Sequence, residues 1–120
     1  MIAHTNQISL KDSTQEGIRC LHELLQKSHL KYDEKIQLKF NHYCDQLEVS
    51  TQSFLQGNLS ALSIHRNEIL RISYEIHHLI SIGLKSGQLN ETLAYECIKN
   101  LEIIRKKVLL INNIYRYANN

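Results

Sequence analysis

Apolar side chains recur along this chain in alternating steps of three and four, the spacing that gathers them on one face of an α-helix. Residues 1 to about 12 are polar and aperiodic, which predicts a frayed or disordered N-terminus. Ser13-Thr14-Gln15-Glu16 then has capping-box form: the serine hydroxyl can accept an orphan amide hydrogen while Glu16 reaches back. Ile18, Leu21, Leu24 and Leu25 come next on one face, predicting a first helix from about 13 to 30.

Asp33 is placed to cap a second helix, whose stripe is Ile36, Phe40, Tyr43, Leu47 and Phe54. Gly57-Asn58 ends it, the glycine suited to a left-handed C-cap and the asparagine to capping the next helix. A third helix is expected from about 59 to 84 along Leu62, His65, Ile69, Ile72, Ile76, Leu79 and Gly83. Lys85-Ser86-Gly87-Gln88 reads as a turn, and Asn90 as the cap of a fourth helix. Its stripe is Ala94, Cys97, Leu101, Ile104, Val108, Ile111 and Tyr115. That strict seven-residue repeat favours near-parallel packing with a left-handed supercoil. Four amphipathic segments with short connections predict an all-α, antiparallel up-down bundle: three long helices plus a shorter N-terminal one, in a single domain over about 13–118.

Composition supports this picture. There is no proline in 120 residues, and 42% are hydrophobic, enough for a small core. The 14 basic and 12 acidic residues are interspersed for a net charge of +2, which gives no reason to expect nucleic acid. No run approaches the roughly 20 apolar residues of a membrane span, the longest being Val108-Leu109-Leu110-Ile111. The N-terminal residues Met1 to Asn6 lack the form of a signal peptide, so the polypeptide reads as soluble. Cys20, Cys44 and Cys97 are far apart in sequence and lie on apolar faces, which reads as reduced, buried thiols in a cytoplasmic setting.

Candidate chemistry is sparse. Glu75-Ile76-His77-His78 contains the Glu-x-x-His order of bundle metal sites, but only once. His22-Glu23 and His42 are poorly placed to supply its partner, and His65-Arg66-Asn67-Glu68 has the reverse order. The plainer reading makes His65 a hydrogen-bonded stripe residue and His77 a surface one. A nucleophilic cysteine would need a basic neighbourhood, which nothing marks. Arg105-Lys106-Lys107, with Lys99 and Arg116, makes the fourth helix locally basic, as a phosphate-binding or membrane-facing helix would be. Glu96 and Glu102 dilute that charge, and three adjacent residues point around the helix, as on a solvated face. The glycines at 17, 57, 83 and 87 are isolated, so no phosphate-cradling loop is present.

Four short motifs nevertheless occur in a suggestive order. Phe54-Leu55-Gln56-Gly57-Asn58 is similar to a helix-connecting loop that usually ends in Gly-Asp, and His65-x-x-Glu68-Ile69 stands where an acidic stretch would come next. His78-Leu79, Gly87 and Leu89 match a His-Leu-x-x-Leu-x-x-Gly stretch, and Leu101-Glu102-x-Ile104 matches Leu-Glu-x-Ile-x-Asp. Together, from about Leu30 to Tyr117, they resemble the PhoU-like C-terminal cytoplasmic domain of sodium/phosphate cotransporter-type proteins. The resemblance implies an accessory or regulatory domain in sodium-dependent phosphate transport. Such a domain would act by contact with a membrane transporter domain, in the same or a separate chain, or with a second copy of itself.

PhoU-type proteins often bind metal clusters through Glu/Asp-x-x-x-Asp motifs. Here Glu102 is followed at the fourth position by Lys106, whose ammonium repels a cation. The metal function is therefore not carried over: no catalytic, cofactor-binding or metal-ligating residue is assigned, and no enzyme activity is expected. The expected location is cytoplasmic and membrane-associated through the transporter. The alternative is a stand-alone helical adaptor or secretion-type chaperone that holds a partner helix in a groove.

Overall fold

The computed structural model describes residues 4–28, 34–56 and 62–118, with side chains described for 6–28, 34–56 and 62–111. Four helices run in order: α1 (His4–Gln26), α2 (Glu34–Gln56), α3 (Leu62–Lys85) and α4 (Glu91–Ala118). No strand occurs among the described residues. Helices of 23 to 28 residues are about 35–42 Å long, and the molecule measures 50 × 22 × 19 Å, so they lie side by side. Each packs on its neighbours in a ring: α1 with α2 and α4, and α3 with α2 and α4.

Cross-helix contacts give the direction. Ser28 at the end of α1 meets Asn90 at the start of α4, Cys20 meets Cys97, and Ser13 meets Lys107. Residue numbers rise along α1 as they fall along α4. The all-α antiparallel bundle is as the periodicity predicts.

A seven-residue repeat runs through the core. Leu10, Thr14, Gly17, Leu21 and Leu24 are buried on α1, and Phe40, Cys44, Leu47, Thr51 and Phe54 on α2. On α3 the buried set includes Leu62, Ile69, Ile72, Ile76, Ile80 and Gly83. On α4 it is Ala94, Cys97, Leu101, Ile104, Val108 and Ile111. Alternating steps of three and four keep each stripe facing its neighbours over the whole length. Ile18, Leu25, Ile36, Tyr43 and Leu79, assigned to the stripes from sequence, are partly buried against this core.

The N-terminal boundary differs from the expectation. α1 begins at His4, not near 13, and matches α2 at 23 residues while remaining shorter than α3 and α4. Residues 4–12 are helical, so neither a frayed segment nor a domain start at 13 describes them. Ser13 is therefore inside the helix, where its hydroxyl is 2.6 Å from Lys107 Nζ and caps nothing. The reason is tertiary: fully buried Leu10 extends the apolar stripe one more heptad toward the N-terminus. Thr14 Oγ1 donates to Leu10 O at 2.9 Å, which satisfies this buried hydroxyl within the helix. The proposed caps at Asp33 and Gly57-Asn58 lie outside the described residues.

The α3–α4 turn obeys its sequence signals. Gly87 has φ +72°, the left-handed conformation that only glycine adopts without strain. Gln88 N donates to Gly83 O and Gly87 N to Leu84 O, the paired bonds of a Schellman C-cap. Asn90 Oδ1 accepts from Leu93 N at 3.1 Å and caps α4. Leu89 folds back onto Gly83, where an added Cβ would lie 2.5 Å from Leu89 Cδ1 and 2.6 Å from its Cγ.

Two substitutions test this packing. Gly83→Ala gains about 1 kcal/mol of helix propensity, yet it forces Leu89 out of place, at a gross penalty of about 1–3 kcal/mol. A net loss of stability is expected in urea unfolding, and it should vanish in a Leu89→Ala background. In contrast, Thr51 Oγ1 is buried without a hydrogen-bond partner, so Thr51→Val should raise stability by about 1 kcal/mol. An unchanged or lower midpoint would refute that reading.

Candidate functional site

The fold brings cysteines 77 positions apart in sequence to the same level of the bundle. Cys20 and Cys97 occupy facing core positions of α1 and α4, each 1% exposed. The two helices come close here because the seam is lined with small residues. Gly17 precedes Cys20 by one turn, and a Cβ added to it would sit 3.0 Å from Ile104 Cδ1. Ala94 precedes Cys97 on the opposite side and is fully buried. The Cys97 thiol donates to Cys20 Sγ at 3.0 Å, and the Cys20 thiol points at Leu93 O, 4.0 Å away. Both thiols are free, as is that of buried Cys44 on α2.

Burial keeps the Cys97 and Cys44 sulfurs protonated. Burial is the main cause raising the Cys97 pKa; its hydrogen bond with Cys20 and the nearby charges of Cys20, Glu96 and Cys44 push the same way. Burial, with a smaller contribution from Asp45, pushes Cys44 up to about 12. A thiol so held is a poor nucleophile. The chemistry that the geometry brings within reach is that between the Cys20 and Cys97 sulfurs.

The basic run on α4 divides among three directions. Lys107 is half-buried and crosses to α1, its Nζ donating to Ser13 Oγ at 2.6 Å and Ser9 O at 3.2 Å. Arg105 turns to α3, stacking 4.7 Å above the Tyr74 ring, with Nη1 3.5 Å from Ser73 Oγ. Lys106 is exposed and shares the outer face with Lys99 and Glu102. Two of the three adjacent cations thus tie helices together, a role that sequence alone did not reveal.

The histidine and carboxylate candidates do not converge. His78 and Glu75 are exposed on α3, and His65 and His77 are half-buried. Glu68 pairs with Arg71 on its own helix, and Glu23 with Arg19 and Lys27. Hydrogen bonds from those cations hold both carboxyls below their ordinary pKa. These are solvated i,i+3 and i,i+4 pairs that contribute little to stability. Among the described residues, no three His, Cys, Asp or Glu side chains come together as a metal would require. Glu102 and Lys106, at the positions where the motif would carry two carboxylates, are both exposed.

Among the described residues no helix is long and apolar enough to cross a membrane. No family model matches the chain, and no curated protein or solved structure matches it either.

The thiol environment predicts a pH effect. The pKa of Cys44 is about 12 in the fold against 9.0 for an ordinary thiol. A group whose pKa rises on folding stabilises the fold below its unfolded pKa, and that contribution fades as pH climbs toward the folded value. Urea midpoints should therefore fall between about pH 9 and 12, and Cys44→Ala should flatten the fall. A parallel pH profile in the variant would show that other groups carry it.

Proposed function

We propose that this chain is a PhoU-like accessory or regulatory module of a sodium-dependent phosphate transport protein, acting through protein contact and without catalysis. The single observation that supports contact as the mode of action is where its large apolar residues lie once the core is filled. Leu38 and Val49 on α2, Ile64 and Tyr74 on α3, and Tyr95 and Leu110 on α4 are each more than half exposed. Leu38 and Val49, 67% and 61% exposed, are eleven residues apart and so lie three turns apart on one side of α2. The transport assignment itself rests on the order of the sequence motifs. Leu89, Leu101 and Ile104 from those motifs are core residues here, a role that many bundles would give them. Membrane association, on this reading, comes through the spans of the transporter partner.

The α2 stripe also favours a second reading, a stand-alone adaptor or secretion-type chaperone, because two apolar anchors on one face suit docking of an amphipathic helix. Uptake of radiolabelled phosphate separates the two. Source cells lacking the chain should show altered sodium-dependent uptake, restored by the full chain but not by a folded Leu38→Glu, Val49→Glu variant. Unchanged uptake on removal of the chain would overturn the transport reading. Cross-linking of the wild-type chain to a soluble helical partner would then favour the adaptor.

A further inference from the structure

We infer that Cys20 and Cys97 are a disulfide-forming pair, closed by a low-molecular-weight disulfide while α1 and α4 come together, and that the bond locks these two helices in the bundle. Geometry carries the inference. The sulfurs are 3.0 Å apart, so they need approach by only about 1 Å to reach a disulfide bond length. They face each other across a seam that Gly17 and Ala94 keep narrow, on helices whose direction and register are held by Ser28–Asn90 at one end and Ser13–Lys107 at the other. Nothing large has to move.

Burial decides when the bond forms. With 1% exposure on each cysteine, a tripeptide disulfide cannot reach either sulfur in the closed bundle. Burial also keeps the Cys97 thiol protonated, which opposes attack by it. In the open chain both restrictions disappear. One cysteine gives its proton to solvent, and its thiolate attacks a sulfur of glutathione disulfide, breaking that S–S bond and releasing one glutathione thiolate. The thiolate of the second cysteine then attacks the protein-bound sulfur of the mixed disulfide and releases the second glutathione. Both released thiolates take up protons. Two protein thiols are oxidised to one disulfide, and one glutathione disulfide is reduced to two glutathiones.

The bond would span 77 positions, a separation at which cross-linking removes much of the freedom of the unfolded chain. It would join the first and last of the four described helices, which no loop links directly. Cys44, on α2, is left as the free third thiol.

Refolding of the full chain tests this. Protein unfolded in denaturant and refolded in a glutathione redox buffer should become about 2 Da lighter, by loss of two thiol hydrogens. Peptide mapping should link Cys20 to Cys97, with Cys44 alone alkylated after denaturation. The oxidised protein should melt about 10 °C above the reduced one. Cys44→Ala should keep the bond and the shift, whereas Cys20→Ala and Cys97→Ala should lose both. The wild-type mass and map stand on their own should either of those variants fail to fold. Three free thiols after oxidative refolding, a bond involving Cys44, or an oxidised protein melting no higher than the reduced one would overturn the inference. Oxidation of the never-unfolded protein as fast as during refolding would overturn its coupling to helix docking.

Discussion

The close contact of α1 with α4 is the constraint on which the bundle depends. These are the first and last helices, so no loop joins them directly and the ring closes only through their packing. Gly17, Cys20, Ala94 and Cys97 make that packing intimate, since larger side chains would hold the axes apart. Leu10, Leu21 and Leu24 on one side, and Leu101, Ile104 and Val108 on the other, then reach the shared core. Polar ties fix the register at both ends of the seam: Asn90 N donates to Ser28 Oγ, and Lys107 Nζ donates to Ser13 Oγ and Ser9 O. Because a lysine hydrogen-bonded to neutral oxygens has its charge only partly compensated, its half-buried position leaves the ammonium access to water.

Two buried hydroxyls in the core find acceptors in their own helices. Thr14 and Ser73 donate to carbonyls of the preceding turn in their own helices, to Leu10 O and Leu70 O. That arrangement satisfies Thr14 within its own helix, while Ser73 Oγ also accepts from Arg105 Nη1 of α4 at 3.5 Å. Among the described residues, Gln46 Oε1 and Thr51 Oγ1 are buried without a hydrogen-bond partner, both on α2. α2 is accordingly the helix whose buried face is chemically least suited to a dry core. It also carries exposed Leu38 and Val49 among its outward positions, as α3 and α4 carry exposed apolar residues of their own.

Much of the fold was legible because helical period, absence of proline, and turn chemistry all point the same way. The heptad on α4 and the Gly87–Asn90 turn can be read from residues alone, since their physics is local. What could not be read was set by distant parts of the chain. His4 to Asp12 contain only two large apolar residues, Ile8 and Leu10, too few to establish a period, yet Leu10 is fully buried by helices that lie far away in sequence. Ser13 looks like a cap because capping signals are short and polar, and only the continuation of the apolar stripe contradicts it. The Cys20–Cys97 contact needs the ring order of four helices and the register of α1 on α4, neither of which is a property of either cysteine's neighbours in sequence. Likewise, three consecutive basic residues reveal their separate roles only when the helices beside them are known.

The distribution of residue types separates a sealed core from outward faces on which the titratable groups are scattered. Core positions on all four helices are occupied by closely packed aliphatic and aromatic side chains, and the thiols among them are sealed from solvent. The titratable groups that could bind a small molecule, Glu75, His78, Lys99, Glu102 and Lys106, are on outward faces and do not converge. An interaction built from such groups gains little from any one of them, because water competes for each. On the contact reading proposed above, affinity would come from extended contact, in which apolar residues such as Leu38, Tyr74, Tyr95 and Leu110 lose their exposure and the scattered charges set orientation. A rigid bundle suits that mode of action, since packing and the ties between α1 and α4 hold those faces in a fixed relation before a partner arrives.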